Sequence, residues 1–224
     1  MSQEFHRISA FVNCFLLPGS EGFVLIDTGP AMARRRLVRE IERAGYALDD
    51  LRLVVVTHGD TDHIGSCAYL QETFGVKIAS HALEAPITET GDLQRNRKET
   101  PDRVPWFFKL LMPFGRFFDH AETSTPDVLL EDGQSLSEYG VDATVLHLPG
   151  HSKGSIAVLT HAGDLFCGDL FWNTRRQRLH PLIDDLADAR ASVERLRGLP
   201  ITTVYPAHGK PFPVDQLPTE FPDA

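Results

Sequence analysis

The chain alternates short apolar runs, typical of strands, with amphipathic segments, typical of helices. Residues 5–28 are apolar runs broken by the turn PGSEG, which predicts strands, the last of them ending at Asp27. A helix is predicted next from apolar residues at helical spacing, namely Leu37, Val38, Ile41 and Ala44. The glycine that follows, Gly45, is a typical C-terminal stop.

The pattern continues with LRLVVVT, whose β-branched character predicts a strand buried on both faces. A second helix is predicted from Asp62, suited to cap it, to about Phe74. After residue 86 a polar stretch and the aromatic segment VPWFFKLLMPFGRFF interrupt the pattern. Strand patterns then return, with a last helix over about 184–197. We predict an α/β fold in a single domain, 1–224, with an insertion at about 87–125 as a candidate lid.

Composition narrows the class of protein further. A length of 224 residues with 42% apolar content suits one hydrophobic core or two small ones. The net charge of −9 and the lack of a long basic run argue against a nucleic-acid partner. The first residues lack a secretory pattern, and no apolar run reaches transmembrane length. Three widely spaced cysteines, Cys14, Cys67 and Cys167, fit reduced thiols, so we expect a cytoplasmic protein.

The stretch VVVTHGDTDHIG places several metal-binding side chains directly after an apolar run. In an extended segment His58, Asp60 and Asp62 point the same way, and His63 turns toward them where the helix begins. Clustered carboxylates repel each other unless a cation lies between them. On its own the loop fits a metal site or a solvated, helix-capping turn, and three residues later in the chain decide in favour of the metal site.

Three further residues follow later strand patterns. His151 lies in the turn LPGHSKGS, Asp169 ends the run LFCGD, and His208 follows the last strand in YPAHG. Ends of adjacent strands meet at one edge of a sheet, where α/β enzymes build their sites. These side chains are therefore expected to join the first loop in one cluster.

With these motifs the sequence resembles the metallo-β-lactamase superfamily. Asp27, the His58 to His63 loop, His151, Asp169 and His208 match the family's ordered pattern, which covers most of the chain. The resemblance implies a four-layer αββα sandwich with two metals in a cleft between the sheets. It also implies the ligand sets, with His58, Asp60 and His151 at site one, Asp62, His63 and His208 at site two, and Asp169 bridging. Asp27 would orient ligands by hydrogen bonding.

Asp60 departs from the family pattern, which has histidine at this position. A set of two histidines and a carboxylate also suits iron or manganese. Carboxylates are equally common zinc ligands. Two divalent ions are expected, zinc first and iron or manganese as alternatives. Three consequences of Asp60 stay open: zinc at both positions, a preference for iron or manganese, or a weakened site one.

The implied chemistry is hydrolysis by a metal-bound hydroxide acting on an ester, thioester or lactone. By resemblance Asp62 both binds metal and handles the proton of the leaving group. The metal motifs are similar to those of glyoxalase II and of acyl-homoserine lactonases. Two alternatives stay open, namely an iron-dependent oxidoreductase of the persulfide dioxygenase kind and a non-catalytic protein that binds a metal or a partner.

Two segments are candidates for substrate contacts. The aromatic segment contains Trp106, Phe107 and Phe108 and predicts a lid with an apolar wall, a homodimer or membrane-surface contact, or simple packing. Arg175 and Arg176 follow the Asp169 loop and are expected to be solvated or to hold an anionic group. The expected partner is therefore a small molecule with an acyl or aromatic group. The other histidines, among them His180, match no ligand position and are assigned structural or surface roles.

Overall fold

The computed structural model describes residues 5–95, 97–104 and 122–219. Its first sheet has six strands in sequential order: His6–Ala10 (β1), Val12–Gly19 (β2), Gly22–Ile26 (β3), Leu51–Val55 (β4), Lys77–His81 (β5) and Val128–Leu130 (β6). The first three strands are antiparallel, and β3 to β6 run parallel to one another. The parallel half is the part that delivers site residues, because its strands all end at the same edge.

A second sheet has five strands in the order β14-β12-β9-β8-β7. They are Ala143–His147 (β7), Ile156–Thr160 (β8), Asp164–Phe166 (β9), Thr203–Tyr205 (β12) and Phe212–Pro213 (β14). A small third sheet joins Phe171–Asn173 (β10), Arg178–Leu179 (β11) and His208–Gly209 (β13), with β10 in the centre. Within the second sheet β12 lies parallel to β9, which brings the end of the chain beside the strand that precedes Asp169.

The helices of the described ranges are Arg34–Arg43 (α1), Thr61–Ile64 (α2), Cys67–Phe74 (α3), Ala85–Thr90 (α4) and Leu186–Leu196 (α5). Short 3-10 turns cover Ala31–Ala33, Leu48–Asp50, Ser137–Tyr139 and Val214–Gln216. The predicted first helix is confirmed: Leu37 and Ile41 are buried, and Gly45 follows the helix with a φ of 88°.

Three hydrophobic cores lie between four layers. In β3, Phe23 and Leu25 pack with α1 and α3, whereas Val24 and Ile26 belong to the core between the two large sheets. This alternation follows from the two-residue period of a strand. The third core places Val193 and other residues of α5 against the second sheet. Helix, sheet, sheet and helix therefore follow one another, and the predicted αββα sandwich is confirmed.

The second predicted helix is wrong in its bounds. The structure has two short helices there, and the first begins at Thr61 after an extended Asp60, not at Asp62. The interruption lies at Gly65 and Ser66. A Cβ on Gly65 would lie 2.2 Å from the backbone nitrogen of Ala31, so only glycine allows this close approach. Gly65 also donates its N–H to the carbonyl of Gly29.

Candidate metal centre

Loops at one edge of the sandwich bring the predicted ligands together. The segment 58–63 follows β4, His151 follows β7, Asp169 follows β9, and His208 opens β13. His58, His63, His151 and Asp169 are buried, while Asp62 is partly exposed. The cluster is therefore buried except on the side of Asp62, where it reaches the surface.

Among the residues that the structure describes, three groups of side chains have ligand atoms within 4.8 Å of one another. The first group is His58, His151 and Asp169. The second is Asp62, His63 and His208. Asp169 reaches both, with 3.9 Å from its Oδ2 to His58 Nε2 and 3.6 Å from its Oδ1 to His63 Nε2. This is the placement expected of a bridging carboxylate between two cation positions.

Hydrogen bonds on the outer side of three imidazoles turn their Nε2 atoms toward the centre. His151 Nδ1 donates to the carbonyl of Leu182 at 2.8 Å. His63 Nδ1 donates to Asp27 at 2.8 Å. His58 Nδ1 lies 3.1 Å from Thr57 Oγ1, which itself donates to Asp27. Where Nδ1 carries the only ring proton, Nε2 presents a lone pair, the form in which histidine binds metal.

Asp27 is the residue that organises this outer layer. It is buried and has a φ of 57°, in the left-handed region that Asp tolerates better than most residues. Its carboxylate accepts the Thr57 N–H at 2.8 Å as well as the bonds from Thr57 Oγ1 and His63. Asp27 thus fixes the orientation of His63 directly and that of His58 through Thr57.

The cluster fits a bound cation. Among the described residues, His58 Nε2, His63 Nε2, Asp169 Oδ1 and His180 Nε2 are buried without a hydrogen-bond partner. In addition, His151 Nε2 faces Asp60 Oδ2 at 3.0 Å, so two acceptors oppose each other once Nδ1 holds the proton. Each buried group left unpaired costs about 1–3 kcal/mol. Divalent cations between these atoms would satisfy all of them.

The carboxylates and imidazoles of the cluster shift one another's pKa values. Burial would lower the pKa of His63 and of His208, but the nearby carboxylates raise both, that of His208 to about 9. Burial would raise the pKa of Asp169, but the surrounding imidazoles hold that pKa well below its ordinary value. Burial also lowers the pKa of His58, an effect that His63 and His151 reinforce. Carboxylate and neutral imidazole are therefore the favoured forms at Asp169 and His58, and both forms bind metal.

Asp60 has two different partners. Its Oδ2 lies 3.0 Å from His151 Nε2 and 3.5 Å from His58 Nε2, while its Oδ1 accepts a bond of 2.5 Å from Arg97. Arg97 also donates to the carbonyl of His151 at 2.8 Å. Burial would raise the pKa of Asp60, but the Arg97 guanidinium holds it well below its usual range. One carboxylate oxygen is thus available at the first group, and the other is held by an arginine of the predicted insertion.

His180 is a member of the cluster that the sequence did not indicate. It is buried, its Nε2 lies 3.2 Å from Asp169 Oδ2, and it forms a third group with Asp169 and His208. Burial lowers the pKa of His180 to about 3, which keeps its ring neutral. No local motif marks this residue; the β10 to β11 hairpin returns it to the site.

The predicted substrate residues lie in different places. A cleft of about 370 Å³ opens beside Asp60, Asp62 and His151 and is lined by Leu93, Arg97, Pro101, Val104, Leu182 and Ile183, among others. Arg175 and Arg176 line a separate depression. Trp106, Phe107 and Phe108 lie outside the described residues, so their predicted contacts stay predictions. Most of the cleft wall therefore comes from the 93–104 part of the insertion and from residues 182–184.

The cysteines are in the state that the sequence predicts. Cys14, Cys67 and Cys167 are buried free thiols. Burial raises the pKa of the Cys67 thiol to about 12. None of the helices in the described part of the chain has the length and apolar character needed to cross a membrane.

Comparison with known proteins identifies the family. Residues 9–208 match the family model of the metallo-beta-lactamase superfamily. This match spans most of the chain, and it agrees with the fold and with the order of the clustered residues. The chain therefore belongs to the metallo-beta-lactamase superfamily, and the resemblance noted in the sequence is confirmed.

Several relatives are similar over most of the chain. The human acyl-coenzyme A thioesterase MBLAC2 is 29% identical over 97% of this chain and 80% of its own length. The hydroxyacylglutathione hydrolase GloC of Haemophilus influenzae is 28% identical over 77% of this chain and 73% of its own. The solved structure of TTHA1623 in a di-iron-bound form is 28% identical, covers 92% of this chain and 91% of that one, and has a TM-score of 0.67.

Other relatives are longer than this chain. The chain spans 58% of the length of the probable metallo-hydrolases of Mycobacterium bovis and Mycobacterium tuberculosis, to which it is 26% identical. Most of these relatives are named as hydrolases, and the activity of this chain is a matter for proposal. The substrate, the metal and the number of ions are matters for proposal.

Proposed function

We propose that this protein is a dinuclear metal-dependent hydrolase of a thioester, ester or lactone. The observation that carries the proposal is the cluster of buried, unpartnered imidazole and carboxylate atoms that converge from several loops at one sheet edge. Thioesters are the first substrate class that we propose, because the relatives MBLAC2 and GloC are named as an acyl-coenzyme A thioesterase and a hydroxyacylglutathione hydrolase.

The proposed ligands form two sets around Asp169. His58, His151 and Oδ2 of Asp60 would hold one divalent ion, and Asp62, His63 and His208 the other. When bound, such ions polarise a carbonyl and supply a nucleophilic water at neutral pH. His180 lies close enough to Asp169 and His208 to act as a further ligand of the second set or to hold these two side chains in position.

The remaining residues would transfer the proton and hold the substrate. Asp62 has a side chain that is 40% exposed at the open side of the cluster, where its carboxylate can pass a proton to the leaving group. In the net reaction the water oxygen bonds to the acyl carbon, the carbon–sulfur bond breaks, and the thiolate takes up the proton. The cleft beside Asp60 would hold the acyl part, and the insertion at about 87–125 would cover it as a lid.

Zinc is the metal that we propose first, with iron or manganese as the alternative. The di-iron form of TTHA1623 supports iron binding on this fold, and the carboxylate of Asp60 adds an oxygen ligand. The same observations keep an iron-dependent oxidoreductase as the second candidate function.

Elemental analysis of protein purified without added metal, followed by assays of thioesters, esters and lactones, tests the proposal. We expect two divalent ions per chain and turnover of at least one class without oxygen. Asp169→Asn should lose both metal and activity, while Glu89→Gln, an exposed change on α4, serves as the matched control. Iron with oxygen consumption and no anaerobic turnover would favour the oxidoreductase. Lack of turnover with every metal would favour a non-catalytic binding protein.

A further inference from the structure

The small third sheet connects the metal cluster with an arginine-rich surface. In this sheet Trp172 pairs with His208 on one side and with Arg178 on the other. Residues directly opposite each other on neighbouring strands project their side chains from the same face. His208, Trp172 and Arg178 therefore form a row that leads away from the cluster.

Ring geometry confirms the first step of this row. The indole of Trp172 is stacked on the His208 imidazole, with ring centroids 4.6 Å apart and an interplanar angle of 21°. Trp172 Nε1 donates to Thr174 Oγ1 at 2.6 Å, which fixes the position of the indole. One face of the indole thus contacts a candidate ligand, and the tryptophan also borders the depression beyond it.

That depression has a volume of about 390 Å³ and is lined by Trp172, Thr174, Arg175, Arg176 and Arg178. The three arginines are exposed, and within the described residues none has a carboxylate partner. A fourth guanidinium lies near: burial lowers the pKa of Arg103, and the charge of Arg178 lowers it further. The net charge of the chain is −9, so this concentration of unpaired positive charge lies on an otherwise acidic molecule.

The cluster is therefore flanked by two unlike depressions. On the Asp60 side the cleft has an apolar wall that includes Leu93, Val104 and Leu182. On the His208 side the arginine pocket offers several guanidinium donors beside an aromatic ring. Guanidinium groups bind phosphate through paired, charge-assisted hydrogen bonds, and an indole stacks on planar rings.

We infer that the pocket formed by Trp172, Thr174, Arg175, Arg176 and Arg178 binds the phosphates of a thioester substrate whose leaving group is a nucleotide-bearing thiol. The acyl part lies in the cleft on the opposite side, and the thioester carbon lies over the metal cluster between them. This inference rests on the proposed function and names the substrate class that it would serve. Phosphate is favoured over a simple carboxylate, because several unpaired guanidinium groups exceed what one carboxylate can use.

The test compares two thioesters that have the same acyl group but different thiols. Hexanoyl-coenzyme A carries the nucleotide phosphates, and hexanoyl-pantetheine lacks them. We expect the wild-type enzyme to have a kcat/KM at least about tenfold higher for hexanoyl-coenzyme A, the gain typical of a charge-assisted bond. The double variant Arg176→Gln/Arg178→Gln should reduce this preference about tenfold, mainly through KM.

A matched control removes the same charge elsewhere. Arg35 and Arg36 are exposed on α1, so Arg35→Gln/Arg36→Gln should keep the preference. Binding of desulfo-coenzyme A, measured by calorimetry, gives a readout that does not depend on turnover. It should weaken about tenfold in the Arg176→Gln/Arg178→Gln variant and stay unchanged in the control.

Failure of the inference is distinguishable from failure of the proposed function. Equal kcat/KM for the two thioesters, an undiminished preference in the double variant, or a stronger preference for an S-acylglutathione would each overturn the inference. If no thioester, ester or lactone is hydrolysed, the proposed function fails. Whenever the two thioesters are not hydrolysed, calorimetry alone decides on the pocket. Arginine-dependent binding of desulfo-coenzyme A would then support the inference, and lack of binding would overturn it.

Discussion

At the scale of single residues, Asp60 and Arg97 depend on each other. The side chains are 23% and 13% exposed, so their ion pair lies between the surface and buried cases. Breaking an exposed pair costs about 0–1 kcal/mol, whereas leaving one buried charge alone costs about 3–5 kcal/mol. The histidine that the family pattern has at position 60 would leave the Arg97 guanidinium without its carboxylate.

We therefore expect Asp60→His to lower the free energy of unfolding of the chelator-treated protein by about 2 kcal/mol. Adding Arg97→Gln to Asp60→His should recover at least half of that loss, because the unpaired cation is then gone. Urea denaturation of the wild type, both single variants and the double variant gives the coupling energy. Additive effects of the two substitutions would contradict the interdependence.

The residue types in the sequence predicted most of the side chains that converge in the candidate metal centre, but not all of its contacts. His58, Asp62, His63 and His151 stand in motifs whose residue types and spacing indicate a metal ligand. Arg97 stands in a polar stretch with no such pattern, and only the path of the insertion brings it to Asp60. Contacts of this kind depend on tertiary structure, which the local sequence does not encode.

At the scale of elements, one buried carboxylate joins two loops of the site. Glu84 immediately precedes α4 and is fully buried. Its Oε2 accepts the N–H of Gly59 at 2.8 Å, and its Oε1 accepts the N–H of Gly154 at 3.0 Å. Gly59 lies within the loop of His58 to His63, and Gly154 follows His151, so Glu84 sets the spacing of the two loops.

Glu84→Gln should weaken this connection, because an amide has one acceptor oxygen and would turn its NH₂ group toward the other N–H. We expect the free energy of unfolding to fall by about 1–3 kcal/mol and metal affinity to fall with it. Urea denaturation and a metal titration measure the two effects. Glu89→Gln, on the exposed side of the same helix, is the control. Equal behaviour of the two variants would show that Glu84 does not space the loops.

Helices and strands differ in how well the sequence predicts them. Helix α1 and strand β4 were predicted because their apolar periodicity matches the burial that they have in the fold. The split between α2 and α3 was not predicted, because Gly65 breaks the helix by packing against the backbone near Ala31. Such a break reflects a neighbour that lies far away in sequence.

At the scale of the whole molecule, the candidate ligands come from both halves of the sandwich. The loop after β4 belongs to the first sheet, and His151 and Asp169 follow strands of the second. A metal bound between them would stabilise the folded state alone, since the unfolded chain does not preserve the site. Metal content and global stability are therefore expected to change together.

Chelation should thus lower the melting temperature, and zinc at about a thousand times its Kd should restore about 4 kcal/mol of stability. Thermal unfolding with and without metal measures the effect. In Asp169→Asn the response to zinc should be much smaller, because Asp169 faces two of the ligand groups. A melting temperature independent of metal in the wild-type protein would argue against ligands that join the two halves.

The bonds made by Asn13 have a consequence for the order of folding. Its side chain donates to the carbonyls of Pro206 and Gly209, and its N–H donates to Ala207, so an early strand holds the segment around His208. Contacts between such distant parts of a chain close a long loop and form slowly. A nascent chain therefore carries all but one of the candidate ligands before the centre can close, and its completion awaits the last strands.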